Sequence, residues 1–316
     1  MTPPTSAELR AEAERIGFAA CGVATLEPSA HGDALDRWLA AGRAGTMRYL
    51  HRQAARRKAP ASITPGARTA VVVLENYTAP PAERATAGEL FHIAAYARGA
   101  DYHHVTLARL DQLAAWLRSR GAALAHPWLD AGPVPERELA RRAGLGWIGR
   151  NTMLIHPRVG SYTFIGTIFT DLDLPAASPT AVDLCGSCTR CVDACPTDAI
   201  VADRVLDATR CLSYLTIESR AEPPAELVPH YAGWAFGCDI CNDVCPWNIK
   251  FARPTAVAAF ARRAAPDRND PDAFERLTDV EFAARFGDTP LARAGLAGMR
   301  RNVRAAMASD PDRNPS

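Results

Sequence analysis

Apolar positions along this chain follow first a helical period, then a strand period, and the changes mark its predicted elements. Residues 1–16 carry helical spacing, and GFAACGVATL at 17–26 reads as a strand. ALDRWLAAGRAGTMRYLHRQAARR, residues 34–57, is helical again but broken at Gly42 and Gly45. TAVVVLENY at 69–77 is β-branched and apolar through VVVL, the pattern of a buried strand. From Asp101 to Gly121 the spacing predicts a helix. Asp101 is its N-cap, Leu107, Leu110, Leu113 and Leu117 share one face, and Gly121 lies just past its end. PERELARRAG, 135–144, predicts a shorter helix with Pro135 at its start, glutamates in the first turn, arginines in the last and Gly144 closing it. SYTFIGTIFTDLDL at 161–174 is a further strand, and PAASPTAVD at 175–183 is a hinge. Helical spacing returns after Pro246 in DVEFAARF and LAGMRRNVRAAMA, before a polar, frayed SDPDRNPS.

Between hinge and final helices the chain is organised by cysteine. Eight of its nine cysteines fall within residues 185–245. The first run, CGSCTRCVDACP, has the spacing C-x2-C-x2-C-x3-C followed by Pro196, as in bacterial two-cluster ferredoxins. The second, CDICNDVCPW, gives C-x2-C-x3-C and again a proline, Pro246. The start of the chain has no apolar run suited to a signal peptide, and no stretch approaches the roughly 18 apolar residues of a spanning helix. A cytoplasmic protein without membrane contact is therefore expected, and reduced thiols make disulfides a poor reading. Zinc prefers two ligand pairs with a longer spacer, so iron–sulfur is the better one.

Four cysteines each for two [4Fe–4S] clusters uses all eight. The two-cluster pattern assigns Cys185, Cys188, Cys191 and the distant Cys245 to one cluster. It assigns Cys195, Cys238 and Cys241 to the other. The second run lacks its first cysteine, and Cys211, 27 residues before Cys238, is the nearby replacement. Cys21 is expected to pack in a strand as a small apolar residue. Such an electron-transfer module occupies less than a quarter of the chain, so it must feed something else.

At 316 residues two domains are the prior expectation, and 48% hydrophobic with 22% charged residues excludes wholesale disorder. The net charge of +1 argues neither for nor against a polyanionic partner. Lys58 and Lys250 are the only lysines; arginine forks suit phosphate, but with so much alanine beside them compositional bias is the better reading.

Three stretches of the first 175 residues are dense in polar groups or glycine. YARGADYHH places Arg98, Asp101, Tyr102, His103 and His104 at a helix entrance, either to receive an acidic group or as a capped start with solvated histidines. WLDAGPVPERE sets Asp130 on a stiff loop. Burial beside apolar neighbours would raise its pKa and suit it to proton transfer; the alternative is an aspartate capping the next helix. GLGWIGRNTMLIHPRVGSYTF fits no nucleotide-binding spacing, and reads either as backbone for a large planar ligand or as plain loop.

Taken in order, ITPGARTAVVV, YARGADYHH, LDAGPVPERELARRAGLGWIGRN, CGSCTRCVDACPTDAI, CLSYLTIE and GCDICNDVCPWN resemble the epoxyqueuosine reductase family, from about residue 10 to about residue 250. The resemblance implies an α+β protein in three parts. Residues 1–178 would be an α/β sandwich, nitroreductase-like and cobalamin-binding. Residues 179–250 would be a ferredoxin-like domain with two [4Fe–4S] clusters, and 251–316 a helical segment, at most one partial HEAT-like repeat. It implies reduction of epoxyqueuosine to queuosine at the tRNA wobble position by a monomer using cobalamin, two clusters and an external low-potential electron donor. Asp130 matches the family's catalytic aspartate, a proton donor. Asp101, Tyr102 and His103 match a stretch expected to line the cobalamin or substrate pocket. His156, Ser161 and Tyr162 are expected to meet the corrin, and Ser213, beside Cys211, to touch it. Longer members carry a C-terminal helical extension that helps hold tRNA. Here Arg300, Arg301 and Arg304 read either as phosphate contacts or as an exposed helix face, and RNA contact is expected to centre on the anticodon stem-loop. The rival readings are a cytoplasmic cobalamin-dependent reductive dehalogenase and a ferredoxin-type electron carrier.

Overall fold

The computed structural model describes residues 3–78, 89–178, 183–261, 268 and 270–309. Residues 179–182 of the hinge and nearly all of the polar C-terminus lie outside them. The first half is organised by a four-stranded sheet in the order β1-β2-β7-β4, built from β1 (Ala20–Thr25), β2 (Thr69–Asn76), β4 (Ala125–Leu129) and β7 (Thr163–Thr170). All three pairings are antiparallel, with Val71 opposite both Val23 and Ile168.

Side chains along β2 alternate between two cores, as a pleated strand requires. Val71 and Val73 join Cys21 and Val23 under α1 (Ser6–Ile16) and α4 (Tyr102–Ser119). Ala70, Val72 and Leu74 join Leu139 and Ala140 of α5 (Glu136–Arg142) on the opposite face. Helices thus cover both faces, which explains the continuous apolar run. In α4 the Asp101 carboxylate caps the helix by accepting from the His103 N–H at 2.9 Å. Leu110, Leu113 and Leu117 are fully buried, each worth about 1.5–3 kcal/mol, while Leu107 is half-buried. The segment broken at Gly42 and Gly45 forms two helices, α2 (Gly32–Ala40) and α3 (Arg48–Lys58).

The second half clasps the first. Short strand β3 (His92–Ile93) pairs in parallel with β10 (Trp234–Phe236), bringing the cysteine region alongside residues 91–97. Phe91 and Ile93 share a core with Phe236 and with α10 (Asp279–Phe286) and α11 (Gly295–Met307). Each cysteine run closes on a single helical turn, α6 (Arg190–Asp193) and α8 (Ile240–Asp243).

The exposed-face reading of the α11 arginines fails for two of the three. Arg301 is buried, and its guanidinium donates to the carbonyls of Ser219, Ala221 and Leu215. Arg300, half-buried, donates to the carbonyls of Phe274, Glu275 and Leu277. Arg304 is exposed and paired with Glu275 at 2.9 Å. Among the described residues no helix is long and apolar enough to cross a membrane.

Candidate cluster sites and active site

Eight thiols gather into two foursomes. In the first, burial pushes Cys191 up to about 11, with the charges of Cys185, Cys245 and Cys188 adding to it. Cys245 is raised in the same way, and the Asn248 and Trp247 amides offset part of the rise. In the second, burial raises Cys238 and Cys241 most strongly; Cys241 then adds to the rise at Cys238, and Cys211 and Cys195 to that at Cys241. Cys241 also feels Cys191, so the foursomes adjoin. These are the same two sets that the spacing separates.

The surroundings of the sulfurs suit thiolates. Trp147 Nε1 donates to Cys185 Sγ and the Ala199 amide to Cys195 Sγ, both at 3.3 Å. Amides of Ser213 and Tyr214 face Cys211, with the Ser213 hydroxyl beside them. Ile240 supplies an amide to Cys238. Donors aimed at sulfur favour the charged form and tune cluster potential. No three His, Cys, Asp or Glu side chains among the described residues are placed as ligands of a single metal ion. Four thiols in each set, with N–H donors aimed at several of the sulfurs, fit a [4Fe–4S] cluster.

The glycine-rich stretch at 144–164 is the cradle for these runs. Its hairpin of β5 (Trp147–Ile148) and β6 (Leu154–Ile155) sets Trp147 against Trp247 and Cys185. Arg150 donates to the Gly186 carbonyl at 2.9 Å, and Asn151 to the Cys241 carbonyl at 3.3 Å. Ser161 is tied to Asn242 and Asn248, and the Tyr162 hydroxyl donates to Asp243. Gly160, at φ 73°, leaves no room for a side chain beside Asn248. His156 accepts the Arg158 N–H on Nδ1 at 3.1 Å, and burial lowers its pKa to about 4.

Asp130 ends β4 in the left-handed region at φ 44°. Contrary to the expectation of burial, it is exposed. Nor does its carboxylate cap the following helix: Oδ2 accepts from the Tyr102 hydroxyl instead. Burial and the Asp130 charge raise the Tyr102 pKa, so the phenol keeps its proton. The Asp130 amide donates to Glu136 Oε1 at 2.6 Å. Burial, then the Asp130 charge, raises the Glu136 carboxyl above the usual carboxylate range. Arg57 clamps the same loop by donating to the Gly132 and Val134 carbonyls at 3.0 and 3.2 Å.

Aromatic rings connect this loop to the second cysteine run. The ring of Tyr102 lies 6.0 Å from Tyr96, which lies 6.2 Å from Phe236, two residues before Cys238. The buried Asp239 carboxylate holds the Ala95 amide at 2.6 Å. His103 lies at 2.8 Å from Asp101 and stacks on Tyr102, while His104 is exposed.

Residues 184–248 match a family described as a 4Fe-4S double cluster binding domain, and residues 57–130 one described as Epoxyqueuosine reductase QueG, DUF1730. The chain is 40% identical to an epoxyqueuosine reductase of Gloeobacter violaceus over 98% of each chain. It is 36% identical to one from Pseudomonas aeruginosa, over 100% of this chain and 89% of the relative. This chain belongs to the epoxyqueuosine reductase family. The fold is similar to that of a crystal structure of epoxyqueuosine reductase with an epoxyqueuosine-modified tRNA-Tyr stem loop, at TM-score 0.84 and 28% identity, covering 95% of this chain and 80% of that one. A Bacillus subtilis epoxyqueuosine reductase, at TM-score 0.83 and 28% identity over the same shares, was solved with its catalytic aspartate loop swung out of the active site.

Within the family frame, several residues of the site were not read from the sequence. Glu136 looked like an ordinary first-turn glutamate, and Asn242, Asn248 and Asp239 like spacers between cysteines. The local signal for Glu136 was its place six residues after Asp130 across a Gly-Pro turn, which folds the chain back on itself.

Proposed function

We propose that this chain reduces epoxyqueuosine to queuosine at the wobble position of tRNA, the last step of queuosine formation. The reaction consumes two electrons and two protons. Both epoxide C–O bonds break, a carbon–carbon double bond forms, and the oxygen leaves as water. The observation that carries the reading is the Tyr102–Asp130 contact, joined through Tyr96 and Phe236 to the second foursome. It supports a proton donor linked by ring contacts to Phe236, two residues before Cys238, in a chain of this family.

Asp130 is the proton donor to the departing oxygen. Tyr102 orients its carboxyl group, Glu136 holds its backbone N–H, and Arg57 holds the loop after it through the Gly132 and Val134 carbonyls. Cys185, Cys188, Cys191 and Cys245 hold one [4Fe–4S] cluster; Cys195, Cys211, Cys238 and Cys241 hold the other. Together these accept single electrons from an external low-potential donor. Cobalamin, when bound, supplies a cobalt able to store two electrons for the epoxide. Gln53 Oε1 and Thr78 Oγ1 are buried without hydrogen-bond partners, which suits a group that brings its own amides. Tyr102 and His103, beside Asp130, and Ser213, beside Cys211, would border it, and Asp101 caps the helix that carries Tyr102 and His103; His156, Ser161 and Tyr162 are instead engaged with Arg158, Asn242, Asn248 and Asp243.

The division follows: a cobalamin-binding α/β part at 1–178, a ferredoxin-like part at 179–250 and a helical segment at 251–316. The protein works as a cytoplasmic monomer on the anticodon stem-loop. Cells lacking their own epoxyqueuosine reductase test the reading. Expressing this chain should restore queuosine to their tRNA; continued accumulation of epoxyqueuosine, with soluble cluster-loaded protein present, would overturn it.

A further inference from the structure

Helix α3 carries Arg48, Arg52 and Arg56 at successive i+4 positions, all exposed, with His51 beside them. The helix contains no Asp or Glu and buries no residue fully. Like charges at this spacing oppose a helix, and Arg48 sets a cation at the positive end of the helix dipole. A merely solvated face would mix signs. Among the described residues no carboxylate pairs with any of the three, and Arg56 alone finds a partner, the Ile63 carbonyl at 2.9 Å. The neighbouring stripe, Tyr49, Gln53 and Arg57, is half-buried and turns inward. Arg57 on this stripe clamps the Asp130 loop, and the Tyr49 phenol feels the charge of Asp130.

We propose that the Arg48–Arg52–Arg56 face of α3 is a docking surface for the phosphate backbone of an RNA, lying along the approach to Asp130. The inference rests on the tRNA reading above and assigns the residues that meet the stem-loop. Planar guanidinium forks match phosphate oxygens. The exposed positions between them, His51 and Ala55, offer no apolar patch for a protein partner. The stripe next to this face holds the Asp130 loop through Arg57, so an RNA lying on the face would reach that loop with its anticodon base.

The test uses the cluster- and cobalamin-loaded full chain and a fluorescent anticodon stem-loop carrying epoxyqueuosine. Affinity is measured by anisotropy across a salt series for wild type, R48Q/R52Q/R56Q and R48K/R52K/R56K. Each phosphate contact contributes about 0.7–0.9 to the slope of log affinity against log salt. The glutamine variant should therefore flatten the slope by about 2 and bind roughly tenfold or more weakly at low salt. With dithionite as reductant the loss should fall on KM rather than kcat. The lysine variant should keep the slope, and cluster absorption should match wild type in both. An unchanged slope in the glutamine variant, with queuosine still formed, overturns the surface and leaves the reduction reading standing. A slope that depends on the three arginines without any queuosine formed supports the surface and overturns the reduction reading. Slowing only when an acidic electron-donor protein replaces dithionite, with RNA affinity unchanged, overturns the RNA surface in favour of donor docking.

Discussion

The Tyr102 hydroxyl donates to Asp130 Oδ2, joining the first turn of α4 to the loop that ends β4. A phenol whose own proton is held fast can only donate here, so it fixes one carboxyl oxygen and leaves the other for substrate. Tyr102→Phe removes that restraint and little else. We expect kcat to fall about 10- to 100-fold, the worth of a hydrogen bond to a charged group, with cluster absorption and RNA affinity unchanged. Rapid-quench kinetics under argon check this, and wild-type kcat would separate Tyr102 from the chemistry.

Glu136 acts on Asp130 through the backbone, since its Oε1 accepts the Asp130 N–H. A residue at φ 44° needs such ties to stay in place. Glu136→Ala should lower kcat by up to about tenfold, the upper range for one neutral hydrogen bond, while KM stays close to wild type. Glu136→Gln keeps a carbonyl acceptor and should retain most of the rate. Equal losses in both variants would point to the Glu136 proton instead of its position.

Much of this arrangement was legible in the sequence, for identifiable physical reasons. Cysteine spacing records where a loop must wrap a cluster, and the thiols it groups are neighbours in the structure. Asp101, Leu110, Leu113, Leu117 and Gly121 delimit α4 because caps and helical periods are local. The exposure of Asp130 was not legible, because neighbouring Trp128, Leu129 and prolines suggest burial while the left-handed turn points the carboxyl outward. Arg301 misled in the opposite way: a charged residue reads as surface unless one knows that three carbonyls wait for it. The β3–β10 pair was invisible as well, since a two-residue strand has no period and its partner lies more than 140 residues away.

Cys211 is the least ferredoxin-like of the eight proposed ligands, and its replacement separates the two foursomes. Cys211→Ala should leave about four of about eight irons per chain, because only the set with Cys195, Cys238 and Cys241 loses a thiolate. Cys21→Ala should lose none: its thiol is buried in β1 and pushed up to about 12. Iron and acid-labile sulfide analysis reads both. Full iron content in Cys211→Ala would exclude it as a ligand.

Two buried histidines set an acid limit on stability. Burial lowers His92 and His156 to about 4, below the roughly 6.5 of an unfolded histidine. Between those values the unfolded chain binds the protons, so stability is complete above about pH 6.5 and is lost as pH falls toward 4. The loss should be on the order of 2–3 kcal/mol per histidine. Urea midpoints of the cluster-loaded protein should drop from pH 7 to pH 5, and less steeply for His92→Asn. A flat wild-type profile over that interval would contradict the assignment.

The most direct test of the account is nucleoside mass spectrometry after anaerobic incubation of tRNA bearing epoxyqueuosine with wild type and Asp130→Asn. Both proteins are loaded with clusters and cobalamin and supplied with a low-potential reductant. The account predicts queuosine from wild type and, since general acid catalysis contributes about 10²–10⁴-fold, at least a hundredfold less from Asp130→Asn despite equal loading. Queuosine at equal rates from both would remove Asp130 from the mechanism, and none from loaded wild type would remove the reaction from this chain.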